Sequence, residues 1–316
     1  MPAPRLRPLW ANRYERVTDR LLTAAALENG DRLAAKVRLA DVLDVDKTSY
    51  ADKQFALKAH LDFVMVSQVD SYARFAVEFD GSQHFTDPQT RSRDRRKDRL
   101  CEGAGLPLLR ITSDYLQRRS KWVVLNYVID AFYQSEAFYK AQDNGHIPDD
   151  EPFIPTNVLT TNDQGQILFS ALDAEARLRL LTHWKNQRLP TYAPDEFVTR
   201  DLATGAVHAD AFMAVAPNRY LIAQVRVRDF RFQGITPSDV AEQLAGAEIG
   251  YLAGRWVEGE PVGQDQRQLI RVMQAIQDRI DKGGFLSCGT STGSLAAGGP
   301  LDARIHVSSV PTTAES

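Results

Sequence analysis

LDFVMV at residues 61–66, FAVEFDGSQH at 75–84 and RSRDRRKDRLCEGAGLPLLRI at 91–111 decide how this chain folds. LDFVMV has the branched and aromatic content of a strand. FAVEFDG alternates: Phe75, Val77 and Phe79 face one side, and Ala76, Glu78 and Asp80 the other, the period of a strand. The polar SQVDSYA between them reads as a hairpin connection. A charged helix over 88–104 closes at Gly105, and LPLLRI at 106–111 is a short buried strand. Strand, helix and strand have the lengths of a βαβ unit, which predicts parallel pairing of 75–80 with 106–111.

Working outward, Val17, Leu21, Leu22 and Ala25 recur at helical spacing, so 13–29 is a helix stopped by Gly30. Glu15 and Asp19 share one of its faces. Residues 36–45 read as a strand and turn. A helix over 114–142 offers Trp122, Leu125, Tyr127, Val128 and Phe132 to the core. The Pro-, Asp- and Asn-rich segment 143–157 is a linker. A second, α+β domain then spans 158–282. It holds a helix over 173–187, paired strands over 208–215 and 220–230, a helix over 238–253, and a last helix whose stripe is Leu269, Met273, Ile276 and Ile280. Residues 283–316, rich in Gly, Ser, Thr and Pro, are expected to be disordered.

The 316 residues suit two domains, and 43% hydrophobic with 25% charged residues is ordinary for a folded chain. Two cysteines, Cys101 and Cys288, exclude a disulfide scaffold and a four-cysteine zinc site. Residues 1–17 have no apolar run after their basic residues and no stretch reaches membrane length, so a chain without a secretory leader, cytoplasmic and without a membrane partner, is expected. No phosphate-binding GxxxxGK[ST] loop occurs, which leaves ATP chemistry out of this chain. The net charge is -3, but residues 1–140 carry a basic excess and the remainder an acidic one. Only the first half favours a polyanion.

Asp62 sits on one strand of the hairpin, and Glu78 and Asp80 on the next. Carboxylates on adjacent central strands are costly unless compensated, and a hard cation with oxygen ligands such as Mg²⁺ compensates them. His84 follows in the turn. Asp94, Lys97 and Asp98, at i, i+3 and i+4, share a face of the following helix. The bland reading of Asp62 and Glu78 is a pair of salt-bridged strand residues. The ordered set of strand Asp, strand Glu, turn His and basic helix argues for chemistry.

That ordered set resembles the PD-(D/E)XK nuclease superfamily, and within it uncharacterised bacterial domains related to very-short-patch repair endonucleases. The resemblance spans about residues 13–116. It rests on Glu15, Asp62–Phe63, Glu78–Asp80–Gly81–His84, Asp94–Lys97–Leu100 and Gly105–Leu106–Pro107–Leu108–Leu109–Arg110. It implies an α/β, restriction-endonuclease-like mixed sheet flanked by helices. It also implies metal-assisted phosphodiester hydrolysis, with Asp62 and Glu78 on Mg²⁺ or Mn²⁺ and Glu15 reaching the ion through a water. Asp80 would be a further ligand or an orienter of His84. Two departures stand out: Leu61 replaces the proline before Asp62, and Asp80 replaces the lysine two residues after Glu78. Lys97 or His84 takes over the missing lysine's part, or the site is silent.

The run 91–99 supplies Arg91, Arg93, Arg95, Arg96 and Arg99 for nucleic-acid phosphates, DNA before RNA. Its bland reading is a solvated helix face. The expected function is thus a Mg²⁺-dependent nuclease, and the alternative is a catalytically inactive nucleic-acid-binding or scaffold module that keeps the fold. In the second half, Asp210 stands where Asp62 does, and Gln224 and Arg226 where Glu78 and Asp80 do. That half is an unrelated α+β domain or a degenerate second copy, and a protein partner through it stays open. His183, His208 and His306 have no metal-ligand spacing. Cys101, with no adjacent histidine, reads as a buried small residue.

Overall fold

The computed structural model describes residues 12–81, 87–119, 122–157, 159–161, 167–169 and 171–289. The chain divides into two compact units. The first comprises Met1–Pro155 with Phe230–Thr236, and the second Thr156–Asp229 with Pro237–Ser316. Among the described residues no helix is long and apolar enough to cross a membrane.

The first unit opens with helix α1 (Arg13–Glu28). Asn12 caps it by accepting the Glu15 amide N–H at 2.9 Å, and Thr18, Leu22, Ala25 and Ala26 are its buried face. Gly30, at φ +68°, turns the chain into strand β1 (Asp31–Arg38). After a short helix α2 (Tyr50–Ala56) come β2 (His60–Ser67) and β3 (Ala73–Phe79). Helix α3 (Pro88–Gly103) starts on an Asp87 cap that accepts from the Gln89 and Thr90 amides. It buries only Asp94 and Cys101, as expected of so charged a helix. Strand β4 (Leu108–Ile111) and helix α4 (Val124–Asp143) follow.

The sheet order is β1-β2-β3-β4. The first two pairings are antiparallel and the third parallel, with Glu78 opposite Arg110. This mixed sheet with the β3–α3–β4 crossover is the α/β arrangement expected from the alternation in 75–81. One apolar cluster joins Leu61, Val64 and Ala76 of the sheet to Cys101, Leu106 and Leu39. Phe75 packs edge-on against Phe132 at 4.9 Å between centroids.

Three sequence expectations change. The helix expected over 114–142 begins only at Val124. Before it, Ser113–Leu116 make a 3₁₀ turn and Arg118–Arg119 pair with Trp122–Val123. The Thr112 hydroxyl accepts the Asp114 amide there, diverting the chain into a turn. Second, residues 230–236, expected inside the second domain, belong to the first unit. The Phe232 ring lies 5.3 Å from Phe75 and 5.1 Å from Phe132. Gly234 (φ +82°) passes so close that a Cβ would collide with the Ala131 carbonyl oxygen. Third, Phe285–Gly289, grouped by composition with the tail, forms a strand; residues 290–316 lie outside the described residues.

The second unit contains helix α5 (Ala174–Lys185), strands β5 (Asp195–Arg200), β6 (Val207–Ala216) and β7 (Arg219–Val227), helices α6 (Pro237–Val257) and α7 (Gln266–Asp281), and strand β8 (Phe285–Gly289). The stripe Leu269, Met273, Ile276 and Ile280 of α7 packs with Phe197 and Phe212. The sheet order is β7-β6-β5-β8, antiparallel throughout. A second copy of the first unit would carry its last strand parallel to β7. Instead β8 pairs with β5 at the opposite edge, so the second-copy alternative fails on topology. The local echo is nevertheless real: Asp210 stands opposite Gln224, which donates to its Oδ1 at 2.8 Å.

Candidate active site

The site forms where the first sheet's ladder opens. β2 and β3 pair from Met65–Phe75 to Phe63–Val77. One step further, side chains replace the ladder bonds. The Asp62 amide donates to Glu78 Oε1 at 3.2 Å, and the Phe79 amide donates to Asp62 Oδ2 at 3.0 Å. Each carboxylate is thus held by the backbone at the other's strand. Adjacent acids need such donors to stay charged away from water.

Cations complete the row. Lys97, one of the expected substitutes for the motif lysine, reaches from α3 to within 2.7 Å of Glu78 Oε2 and donates to the His60 carbonyl at 2.7 Å. Burial pushes the Glu78 carboxyl upward from its usual range, Lys97 opposes this, and the Asp62 charge adds to it. Lys36 of β1 lies 2.6 Å from Asp62 Oδ1 and 3.3 Å from Glu15 Oε1, bringing the α1 carboxylate into the same network. Burial alone would lower the Lys36 ammonium, but the Asp62 hydrogen bond and charge, with Glu15, raise it.

On the other side of Glu78, Arg110 gathers the remaining acids. Its Nη1 is 2.9 Å from Asp80 Oδ1, 3.4 Å from Asp94 Oδ1 and 3.9 Å from Glu78 Oε2; its Nε is 2.8 Å from Asp98 Oδ1. Burial opposes its charge, yet Asp98, Glu78 and Asp94 hold the guanidinium above its ordinary value. Asp80, expected as a further ligand or an orienter of His84, has a fully buried side chain bonded to Arg110. His84 itself lies outside the described residues. Among the described residues no group of three or more His, Cys, Asp or Glu is arranged to hold a metal ion.

The basic helix divides. Arg91, Arg93, Arg95 and Arg99 are exposed, and Arg96 is half-buried. Arg96 and Arg99, expected on nucleic acid, both bond Asp52 of α2 at 2.8 Å, and Arg96 also covers the Phe55 ring at 5.1 Å. Asp52 is held down to about 2 by the Arg96 hydrogen bond first, then by Ser49 and Arg99. Cys101 is fully buried, and burial with the nearby Glu78 charge pushes its thiol up to about 12, so it is no nucleophile.

Sequence reasoning missed Lys36, and gave Arg110 a place in a motif but no partner. An arginine at the end of an apolar strand was a usable signal, because a buried guanidinium requires carboxylates. Nothing in the local pattern marks Lys36. No curated protein and no solved structure matches the chain. Residues 10–122, which include Glu15, Lys36, Asp62, Glu78, Asp80, Lys97 and Arg110, are similar to the family model described as "Protein of unknown function (DUF2726)".

Proposed function

We propose that the first unit is a divalent-metal-dependent nuclease that hydrolyses phosphodiester bonds, with DNA favoured over RNA. The observation that carries this reading is Lys97 Nζ at 2.7 Å from Glu78 Oε2. It supplies a helix-borne ammonium beside the strand carboxylate, in a chain whose expected lysine is Asp80.

The residues fit a hard cation. Asp62 and Glu78 offer oxygen donors only, and Mg²⁺ commonly takes one or two carboxylates and keeps several waters. The cluster is also acid-rich. Glu15 and Asp62 share Lys36, and Glu78, Asp80, Asp94 and Asp98 gather around Lys97 and Arg110. Asp62 and Glu78 would hold Mg²⁺ or Mn²⁺, with Glu15 acting through a water. The ion supplies Lewis acidity toward the phosphate and a more acidic bound water.

The chain's own groups do the rest. The Lys97 ammonium favours the ionised form of Glu78 and offers positive charge to the phosphate as negative charge develops on it. Arg110 fixes α3 against β3 and β4 by bonding Asp94, Asp98 and Asp80, which sets the height of Lys97. The exposed Arg91, Arg93 and Arg95 meet the phosphodiester backbone without reading sequence.

A second reading, a catalytically silent nucleic-acid-binding module, is favoured by one observation: the residue at the motif lysine's place is locked to Arg110. Incubating the full chain with plasmid and single-stranded DNA, in Mg²⁺, Mn²⁺ or EDTA, separates the two. Metal-dependent cleavage is expected. Binding without cleavage in either metal sinks the nuclease reading.

A further inference from the structure

Lys36 takes φ +54° in the middle of a strand, a left-handed conformation that a side-chain-bearing residue enters at a cost. It stands between Ala35, paired with Phe63, and Val37, paired with Leu61. It therefore faces Asp62 across the open step of the ladder. Its Nζ is shared by carboxylates from two elements, Asp62 at 2.6 Å and Glu15 at 3.3 Å. Its side chain is 31% exposed, against 12% for Lys97. Lys97 is clamped between Glu78 and a backbone carbonyl; Lys36 sits at the wetter side, on a flexible stem.

We propose that Lys36 is a resident counter-cation that occupies Asp62 in place of a divalent ion and leaves it when the ion binds. The inference rests on the metal-dependent reading above and adds a competitor to it. An ammonium and a divalent ion held at the same carboxylate repel each other, and the doubly charged ion has the stronger attraction to Asp62. Release needs no change in the sheet, because the four-carbon stem rotates on a fixed backbone. The displaced ammonium stays tethered beside the site, within a stem's length of Asp62, where its charge faces an incoming phosphodiester. The left-handed backbone fits this role: glycine would remove the conformational cost but also the ammonium.

The test measures Mn²⁺ binding to the full chain by calorimetry, for wild type, Lys36→Gln and Lys36→Gly, with thermal melting of each in the presence and absence of Mn²⁺. Gln keeps an N–H donor without the charge, and Gly removes the backbone cost. Both variants are expected to bind Mn²⁺ about tenfold more tightly than wild type, since one repelling charge is gone. Mn²⁺ is expected to raise the melting temperature of Lys36→Gln more than that of wild type. If Lys36→Gly does not fold, Lys36→Gln decides alone. Binding by the variants only is the strongest support. Equal or weaker binding by folded variants, with wild type binding normally, overturns the inference and leaves the metal reading standing. If none of the three binds Mn²⁺, the metal reading fails and the inference falls with it.

Discussion

Lys97 Nζ and Glu78 Oε2 are 2.7 Å apart, although one belongs to a surface helix and the other to a central strand. The pairing places a cation beside the strand glutamate by a route through space rather than through the next residues of β3. If that cation serves the reaction, Lys97→Met should lower metal-dependent cleavage by about a hundredfold or more, the scale of one lost electrostatic donor, while nucleic-acid binding persists. His84→Ala is the companion variant. Loss of turnover there, with Lys97→Met still active, would transfer the role to His84.

Asp62→Asn and Glu78→Gln remove a charge and keep the shape. Each should abolish Mg²⁺- or Mn²⁺-dependent cleavage by a factor of at least about a hundred, corresponding to roughly 2.7 kcal/mol. The fold should survive. Glu78→Gln should melt no lower than wild type, because burial disfavours the Glu78 charge. Cleavage assays paired with thermal melts check both halves, and an active Asp62→Asn enzyme would contradict the proposed site.

The α3 arginines that bond Asp52 should behave differently from Arg91, Arg93 and Arg95. Replacing Arg91, Arg93 and Arg95 with Gln should lower the slope of log affinity against log salt by about 2–3 units, the contribution of that many phosphate contacts. Replacing Arg96 and Arg99 should instead lower thermal stability, because both hold Asp52. Fluorescence anisotropy at several salt concentrations reads the first effect. An unchanged slope would make the run a solvated face.

Asp52 gives a pH dependence with a definite sign. Its carboxyl is held down to about 2 in the folded chain, against about 3.9 unfolded. A depressed carboxylate contributes stability above its unfolded value and loses it as pH falls through the folded value. Wild type should therefore lose stability between about pH 4 and 2, and Asp52→Asn should lose less over the same window. Melting temperature against pH measures it; identical acid limbs would count against the Asp52 pairing.

Arg110 is expected to be the costliest single truncation in the first unit. It is 4% exposed and bonds Asp80, Asp94 and Asp98. Arg110→Met leaves buried acids without their cation, which costs about 3–5 kcal/mol when one partner of a buried pair is removed. Denaturant unfolding gives the number, and a loss below about 1 kcal/mol would mean that water already screens the cluster.

The strand periods of LDFVMV and FAVEFDG, the Gly105 stop and the length of α3 were legible in the amino-acid order, and the parallel β3–β4 pairing followed from them. These features are set by local geometry: side chains alternate every residue along a strand, and a crossover needs a helix of a certain length. The nearness of Asp62 and Glu78 followed from their places on adjacent strands, whereas Glu15 and the role of Lys97 came from the family resemblance. Lys36 was not legible, because its meeting with Asp62 depends on the β1–β2 register and on one left-handed backbone position. Phe232 returns to Phe75 and Phe132 across residues 156–229 of the second unit, and no local window contains that contact. Asp210 opposite Gln224 repeats the local pattern of the site, yet β8 chose the β5 edge. Which edge a final strand takes is decided by packing of the whole sheet, so only the tertiary structure could separate a site from its echo.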